Sequence, residues 1–233
     1  PAVSGNEENM KKLAEEIKKK EETISKLAVE LADKREAAAK SLKQGVEKEL
    51  KELHMSGVRF GVDFNYPADS EGFVEYHKIK MQPTLLGLGT LEFLFSPNAG
   101  EDLRPLAKVA SGGELSRIML ALKSILNKQD TVPVMIFDEV DTGIGGRVAE
   151  KVGEKLKKVS KNKQVFCITH LPQIAGMAST HYRVEKKVEE KRTRSGIRKL
   201  ELEERVEELA RMSSGEKITK ASLQHARELI TGH

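Results

Sequence analysis

Residues 132–139 read Val-Pro-Val-Met-Ile-Phe-Asp-Glu, a nearly continuous apolar run that ends in two carboxylates. Such a run is typical of a strand buried on both faces of a parallel sheet. Open α/β sheets bind their ligands at the carboxyl ends of the strands, which is where Asp138 and Glu139 fall. The oxygens of Asp138 suit Mg²⁺, and Glu139 can orient or deprotonate a water molecule. Carboxylates also end many strands without any such role, so this feature needs support from its neighbours.

The segment that follows predicts a second strand parallel to the first. Residues 141–146 form a tight loop, residues 147–159 have helical apolar spacing, and residues 164–169 form a short apolar strand. A strand, helix and strand in succession make a βαβ unit, whose strands run parallel. His170 directly follows the second strand, so we expect it at the same sheet edge as the two carboxylates. A single histidine at a strand end is more often structural, but three polar groups at one edge favour a functional site.

Upstream, residues 111–117 (Ser-Gly-Gly-Glu-Leu-Ser-Arg) predict the start of a helix. Ser111 and Glu114 have the spacing of a capping box, and apolar residues continue at helical spacing to Leu126. Gly112 and Gly113 fall in the first turn, where each costs roughly 1 kcal/mol of helical stability. They leave bare amides at the positive end of the helix dipole, where a phosphate can approach closely. A plain capped helix explains the same residues equally well.

Residues 7–53 contain no proline and predict a long helix with a coiled-coil seam. The seam residues are Leu13, Ile17, Ile24, Leu27, Leu31 and Ala38, followed after a register shift by Leu42, Val46, Leu50 and Leu53. At 1.5 Å per residue such a helix reaches roughly 70 Å. One apolar stripe needs a covering partner, which we expect on another polypeptide or on a part of the protein outside this sequence. The alternative is a long helix packed along the rest of the chain.

The composition is that of a charged protein with a modest core: 233 residues, 40 Lys and Arg against 36 Asp and Glu, 4% aromatic residues and one cysteine, Cys167. No apolar run approaches the roughly 18 residues of a membrane helix, and residues 1–9 lack the apolar stretch of a signal peptide. We therefore expect no membrane association, and the lone cysteine favours a reducing cytoplasm.

Positive charge is concentrated in residues 183–199, where eight basic and three acidic side chains give a net charge of +5. A local positive field of this kind can attract nucleic acid. The stretch is therefore a candidate DNA contact, with a solvated charged hairpin as the alternative.

The remaining segments predict short elements without catalytic signals. Residues 58–64, 73–81 and 90–95 read as strands, and two short helices follow Leu202 with a break at residues 213–215. Rival chemistries are excluded by the motifs: the chain has no zinc-ligand spacing, no Gly-x-Ser-x-Gly elbow and no full dinucleotide fingerprint.

Together these motifs resemble those of ABC-type ATPases. Residues 110–114 are similar to the signature motif of that family, residues 134–139 to its Walker B strand, Asp141 to its D-loop and His170 to its switch histidine. The longer strings VASGGELSRIMLALK (109–123), FDEVDTGIGGRVAE (137–150) and CITHLPQIA (167–175) resemble one branch in particular. That branch comprises the SMC-related ATPases of bacterial DNA double-strand-break repair.

The resemblance implies an α/β fold, the carboxyl-terminal lobe of an ABC/SMC-type ATPase head (residues 56–233), with a mixed sheet and flanking helices. A coiled-coil arm (residues 1–55) precedes it. ATP and Mg²⁺ are the implied cofactors, with Asp138 holding the metal, Glu139 polarising the attacking water and His170 contacting the γ-phosphate. The nucleotide bound mainly by a second, identical head would be contacted by the signature and D-loop residues, which are Ser111, Gly112, Gly113, Glu114 and Asp141.

The sequence departs from the family pattern in one respect. It contains no Gly-Lys dipeptide, so it lacks the P-loop that wraps the phosphates. The resemblance implies that the P-loop and the first strand of the arm lie in an amino-terminal half of the same protein. We therefore expect this chain to be the carboxyl-terminal half, inactive alone, with the amino-terminal half, a second head and DNA as partners. The implied location is the cytoplasm, in association with the nucleoid.

Two other interpretations stay open. The chain could be a coiled-coil interaction module without nucleotide chemistry, or the nucleotide-binding subunit of a transporter. The presence of Asp138, Glu139 and His170 together weighs against the first, and the long heptad arm weighs against the second.

Overall fold

A computed structural model describes residues 2–98, 100–108, 111–189, 192–215 and 217–232. The helices are α1 (Ala2–Glu52), α2 (Gly112–Leu126), α3 (Gly146–Ser160), α4 (Pro172–Gly176), α5 (Leu202–Ser214) and α6 (Lys220–Thr231). The strands are β1 (Arg59–Asn65), β2 (Val74–Tyr76), β3 (Ile79–Met81), β4 (Thr90–Ser96), β5 (Arg104–Pro105), β6 (Val134–Phe137), β7 (Gln164–Cys167), β8 (Tyr182–Glu189) and β9 (Arg192–Lys199). No helix within these described ranges is both long and apolar enough to cross a membrane.

The chain divides into two compact units, of which the first comprises residues 1–47 and 58–108. Strands β1, β4 and β5 form an antiparallel sheet in that order. The sequence predicted a single strand over residues 73–81, and this prediction was wrong. The segment is a hairpin of β2 and β3, because His77 and Lys78 adopt positive φ angles (51° and 66°) that turn the chain.

The helix of the first unit is held to the strands by two tyrosines, Tyr76, which is buried, and Tyr66, which is half-buried. The hydroxyl of Tyr76 donates to Asp33 (2.9 Å) and that of Tyr66 donates to Glu36 (3.0 Å). Burial, reinforced by the hydrogen bond to Glu36, raises the pKa of Tyr66 to about 12. These polar contacts surround a small apolar core, which consists of Ala28, Ala32, Val74, Tyr76, Met81 and Leu88.

The predicted long helix is confirmed, and most of its early seam is exposed. Leu13, Ile17 and Leu27 each leave more than half of their surface in contact with solvent. The neighbouring Ala28 and Ala32 are buried in the first unit. The seam ahead of these alanines is therefore open to a partner helix.

The second unit comprises residues 48–57 and 109–233 and contains the βαβ element. Strands β6 and β7 are parallel, as predicted, with Ile136 opposite Phe166. The expectation that residues 132–137 are buried on both faces was wrong. Met135 is buried, whereas Ile136 is 69% exposed and Phe166 is 43% exposed. Alternation of this kind means that packing covers only one face of the two-stranded sheet.

The carboxyl-terminal elements of the second unit are a hairpin and the two predicted helices. Strands β8 and β9 pair antiparallel, and Arg183 and Arg198 on one face form ion pairs with Glu208 and Glu204 of α5. Helix α5 packs against α6, and the residues buried between them and α4 are Ala175, Val206, Leu209, Ala210 and Ala226. Part of the basic stretch therefore serves to attach the hairpin to α5.

Candidate functional site

The predicted start of α2 is confirmed at Ser111. This residue has extended backbone angles, and its hydroxyl accepts a hydrogen bond from the amide of Glu114 (3.4 Å), as an N-cap does. Gly113 is buried, and a Cβ at that position would lie 2.9 Å from the Cβ of Thr142 and 3.1 Å from the carbonyl oxygen of Glu139. The glycine therefore permits the first turn of α2 to pack directly on residues 139–142.

Asp138 and Glu139 follow β6, as the sequence predicted. Asp138 accepts a hydrogen bond through Oδ1 from the amide of Glu139 (2.8 Å), and its carbonyl oxygen accepts one from the hydroxyl of Ser116 (2.6 Å). Glu139 has a φ of +56°, a left-handed conformation that costs energy for a residue with a side chain. Its carboxylate lies so close to Gly112 that a Cβ there would collide with Oε2.

Asp141 and His170 are joined directly, which connects the loop after β6 to the loop after β7. Oδ2 of Asp141 accepts hydrogen bonds from the hydroxyl of Thr169 (2.5 Å) and from the amide of His170 (2.9 Å). The same oxygen lies 3.0 Å from Nδ1 of His170. The Asp141 side chain is 4% exposed and the His170 side chain is 73% exposed, so a buried carboxylate supports an exposed imidazole.

Arg117 is a site residue that the sequence analysis missed. Its guanidinium donates to the carbonyl oxygens of Val140 (3.3 Å) and Thr142 (2.9 Å), on either side of Asp141. The side chain is buried, and burial lowers the pKa of Arg117. A charged residue spaced by four from Gly113 and Ala121, on the face that α2 buries, was the available signal. Thr169 and Ser116 were missed as well, since single hydroxyls carry little sequence signal.

The structure thus brings the predicted residues into one connected cluster. Gly112 contacts Glu139, Asp138 and Glu139 are adjacent, and Asp141 binds His170. Cys167, at the end of β7, is another titratable group near the cluster: burial, with help from the charges of Asp141 and Asp138, raises the pKa of its thiol to about 12. It is therefore a neutral thiol near pH 7.

The donor set at the sheet edge fits magnesium better than zinc. Within the described residues no three His, Cys, Asp or Glu side chains are grouped so that they could hold a metal ion between them. Mg²⁺ binds through one or two carboxylates together with water and the phosphates of a substrate, so a single carboxylate such as that of Asp138 could hold it there.

Comparison with known proteins identifies the family. No family model matches the chain. The chain is 45% identical over 195 residues to the DNA repair protein RecN of Bacillus subtilis (strain 168), a match that covers 82% of the chain and 34% of that protein. It is 46% identical over 192 residues to the DNA repair protein RecN of Rickettsia conorii, covering 82% of the chain and 33% of the protein. The chain belongs to the RecN family.

The fold is similar to that of a solved Smc head domain. The crystal structure of the Smc head domain with a coiled coil and joint from Pyrococcus yayanosii matches with a TM-score of 0.50 and 19% identity, over 77% of this chain and 30% of that one. This match confirms the expected fold, a lobe of an SMC-type head preceded by a long helix. The chain spans about a third of the length of the RecN proteins it matches. Its RecN relatives favour neither the transporter subunit nor the purely structural module.

Proposed function

We propose that this chain is the carboxyl-terminal half of a RecN-type, SMC-like ATPase that acts in the recombinational repair of DNA double-strand breaks. One observation carries the proposal. Two adjacent carboxylates end a strand, and the strand parallel to it leads into a histidine that is hydrogen-bonded to the same loop. This arrangement suits phosphoryl transfer to water, in which positioning and charge stabilisation do most of the work.

In this proposal each residue at the edge has its own role. Asp138 is the protein ligand of Mg²⁺, which when bound neutralises charge on the phosphates of ATP. Glu139 orients the attacking water and accepts its proton. His170, exposed at the same edge of the sheet, would contact the γ-phosphate.

A second head completes each nucleotide site in this proposal. The first turn of α2 presents backbone amides at the positive end of the helix dipole, a favourable place for a phosphate. The residues that would face the nucleotide of the second head are Ser111, Gly112, Gly113 and Glu114. Closure of two identical heads around ATP would then depend on the nucleotide itself. Asp141 lies in the loop after β6, which packs against this turn of α2. The residues next to Asp141 in that loop would contact the opposite head.

The P-loop and the first strand of the arm are proposed to come from the amino-terminal half of the same protein. Three observations support this. The chain contains no Gly-Lys dipeptide, the exposed face of β6 and β7 carries Ile136 and Phe166, and the seam of α1 is open along Leu13, Ile17 and Leu27. A DNA-bound location in the cytoplasm, at the nucleoid, follows from the proposed role in repair.

Substitution of Glu139 by Gln tests the catalytic assignment. In the protein assembled with its P-loop half, Glu139→Gln is expected to slow ATP hydrolysis roughly 10²–10⁴-fold, the usual contribution of a general base. Dimerisation of the heads by ATP should persist, because the amide keeps the size of the side chain. Steady-state hydrolysis and light scattering with ATP measure the two properties. Equal loss of both would show that Glu139 is structural.

A further inference from the structure

We infer that Asp141 is a positioning residue that holds His170 in a single tautomer, with the proton on Nδ1 and Nε2 directed outward. The inference deepens the proposed function and rests on it for the role of His170. It assigns Asp141 a task within its own chain, in addition to any contact that its loop makes with a second head.

The geometry leaves Asp141 little choice of partner. Its side chain is 4% exposed, and Oδ2 faces three donors of one segment: the hydroxyl of Thr169 at 2.5 Å, the amide of His170 at 2.9 Å and Nδ1 of His170 at 3.0 Å. An ionised carboxylate can only accept hydrogen bonds. Nδ1 must therefore carry a proton to interact favourably at this distance, and a lone pair at Nδ1 would face a negative charge.

The tautomer determines what His170 offers to a ligand. A neutral imidazole has one donor nitrogen and one acceptor nitrogen. With Nδ1 committed to Asp141, Nε2 is the nitrogen left for the nucleotide or for water, as an acceptor when the ring is neutral and as a donor when it is charged. The opposite tautomer would turn the ring or leave Asp141 without its partner.

Neighbouring groups hold Asp141 in place. Arg117 binds the carbonyl oxygens of Val140 and Thr142, and so fixes the backbone on both sides of Asp141. Thr169 donates to Asp141 and accepts from the amide of Leu171 (3.0 Å), which fixes the loop that carries His170. A carboxylate supported in this way can orient an exposed ring without itself touching the ligand.

Charged groups of two neighbouring elements lie around the pair. Arg117 and Glu114 lie on α2, and Asp138 and Glu139 precede Asp141 on the loop after β6. Arg117 is the cation of this set and faces the loop backbone. The preference for a protonated Nδ1 therefore comes from Asp141 itself.

Nitrogen NMR on protein with ¹⁵N-labelled histidine tests the inference directly. The intact protein is measured at about pH 8.5, where an ordinary imidazole is neutral. Wild-type His170, assigned by its loss in His170→Gln, should carry its proton on Nδ1. In Asp141→Asn the amide nitrogen can donate to Nδ1, so the proton should move to Nε2. Asp130→Asn, which alters a mostly buried aspartate paired with Lys123, is the matched control and should leave the His170 signal unchanged.

Kinetics provide the second readout. Asp141→Asn should lower kcat for ATP hydrolysis roughly 10–100-fold, the usual effect of losing a residue that orients a functional histidine. The KM for ATP should change less than kcat. A wild-type His170 with its proton on Nε2, or an identical tautomer in wild type and Asp141→Asn, would overturn the inference. If the tautomer shifts as expected but wild-type protein hydrolyses no ATP, the inference stands and the proposed function fails.

Discussion

At the scale of single residues, Gly112 leaves room for the carboxylate of Glu139. The carboxylate of Glu139 lies where a Cβ of residue 112 would be. The obstacle is the far end of a flexible side chain, so a larger residue at this position would displace the carboxylate and leave the fold intact. Gly112 therefore determines where the proposed water-activating group lies.

Replacement of Gly112 by alanine tests this close approach. Gly112→Ala should lower kcat for ATP hydrolysis by roughly 10²-fold, the effect of a catalytic group moved by about 1 Å. The melting temperature should hold or rise, since alanine favours the helix over glycine. Gly196→Ala, where a Cβ would meet no atom within 4 Å, is the control. Wild-type kcat in Gly112→Ala would show that the position of the Glu139 carboxylate does not matter.

Single residues also show what the sequence could and could not predict. The positions of Asp138, Glu139 and His170 at one edge followed from strand order, because parallel strands end on the same side. The hydrogen bonds between Asp141 and His170 did not follow, since they depend on side-chain direction in two loops. Burial of Arg117 was missed because a charged residue on a helix is usually solvated.

At the scale of elements, Lys155 joins α3 to the end of α1 within the second unit. Its amine lies 2.5 Å from Glu49 and 2.7 Å from Glu52, and the lysine is 6% exposed. Burial alone would lower the pKa of Lys155, but the hydrogen bonds to Glu49 and Glu52 outweigh it, and the pKa lies above its usual value. The hydrogen bond and charge of Lys155 lower the pKa of Glu52. Helix α3 follows the loop of Asp141, so these ion pairs tie the site to the end of α1.

Removal of Lys155 should destabilise the protein measurably. Lys155→Ala leaves Glu49 in a mostly buried place without its cation, at a cost of about 1–3 kcal/mol in the free energy of unfolding at pH 7. Lys151→Ala on the same helix removes an exposed pair with Glu154 and should cost about 1 kcal/mol or less. Urea denaturation of both variants measures the difference. Equal losses of unfolding free energy in the two variants would mean that the buried ion pair stabilises the protein no more than the exposed one.

The cost of Lys155→Ala should also depend on pH. The pKa of Glu52 is lowered in the folded protein, so its contribution is complete above the usual value of 4.5 and is lost as the pH falls through the folded value. The pKa of Lys155 is raised, so its contribution is complete below 10.5 and is lost as the pH rises through the folded value. The difference between wild type and Lys155→Ala should therefore shrink under acid conditions. A difference that stays constant from neutral pH to about pH 3, below the usual carboxylate range, would contradict the ion-pair explanation.

The hairpin of β8 and β9 gives a prediction about DNA. One face carries the ion pairs to α5, whereas the other face exposes Tyr182, Val184, Lys186, Ile197 and Lys199. Neutralisation of Lys186 and Lys199 should weaken DNA binding by the intact protein. It should also reduce the slope of log affinity against log salt by roughly 0.9 for each DNA phosphate that the protein no longer neutralises. Lys220→Ala, at an exposed site on α6, is the control. A salt slope equal to that of wild type would identify the hairpin as merely solvated.

Elements were predicted best where the apolar pattern repeated over many residues, or where a strand-helix-strand order allowed only parallel pairing. The 51 residues of α1 and the parallel pair of β6 and β7 belong to these classes. The hairpin at residues 73–81 was missed because nothing in the sequence marks His77 and Lys78 as residues with positive φ. Burial of β6 on both faces was overestimated. An apolar run predicts burial within a complete sheet, whereas only one face of the two-stranded sheet of β6 and β7 is covered.

At the scale of the whole molecule, this chain presents surfaces that need further structure to cover them. Two sets of exposed apolar side chains lie on the open face of the β6 and β7 sheet and along the arm; they are Ile136 and Phe166 in the sheet and Leu13, Ile17 and Leu27 in the arm. Contiguous apolar patches on a monomer mark interaction sites. We propose that the amino-terminal half covers these surfaces and also carries the P-loop. One missing part would then account for both the exposed apolar surfaces and the missing phosphate cradle.

The central claim is that this chain supplies the magnesium and water-activating side of an ATP site whose phosphate cradle lies in the amino-terminal half. The most direct measurement is ATP hydrolysis by this chain, by the P-loop half of its own protein, and by the two combined. The account predicts negligible turnover by each part alone and robust, magnesium-dependent turnover by the mixture, which Glu139→Gln slows roughly 10²–10⁴-fold. Robust turnover by this chain alone, or a mixture no faster than the sum of its parts, would contradict it.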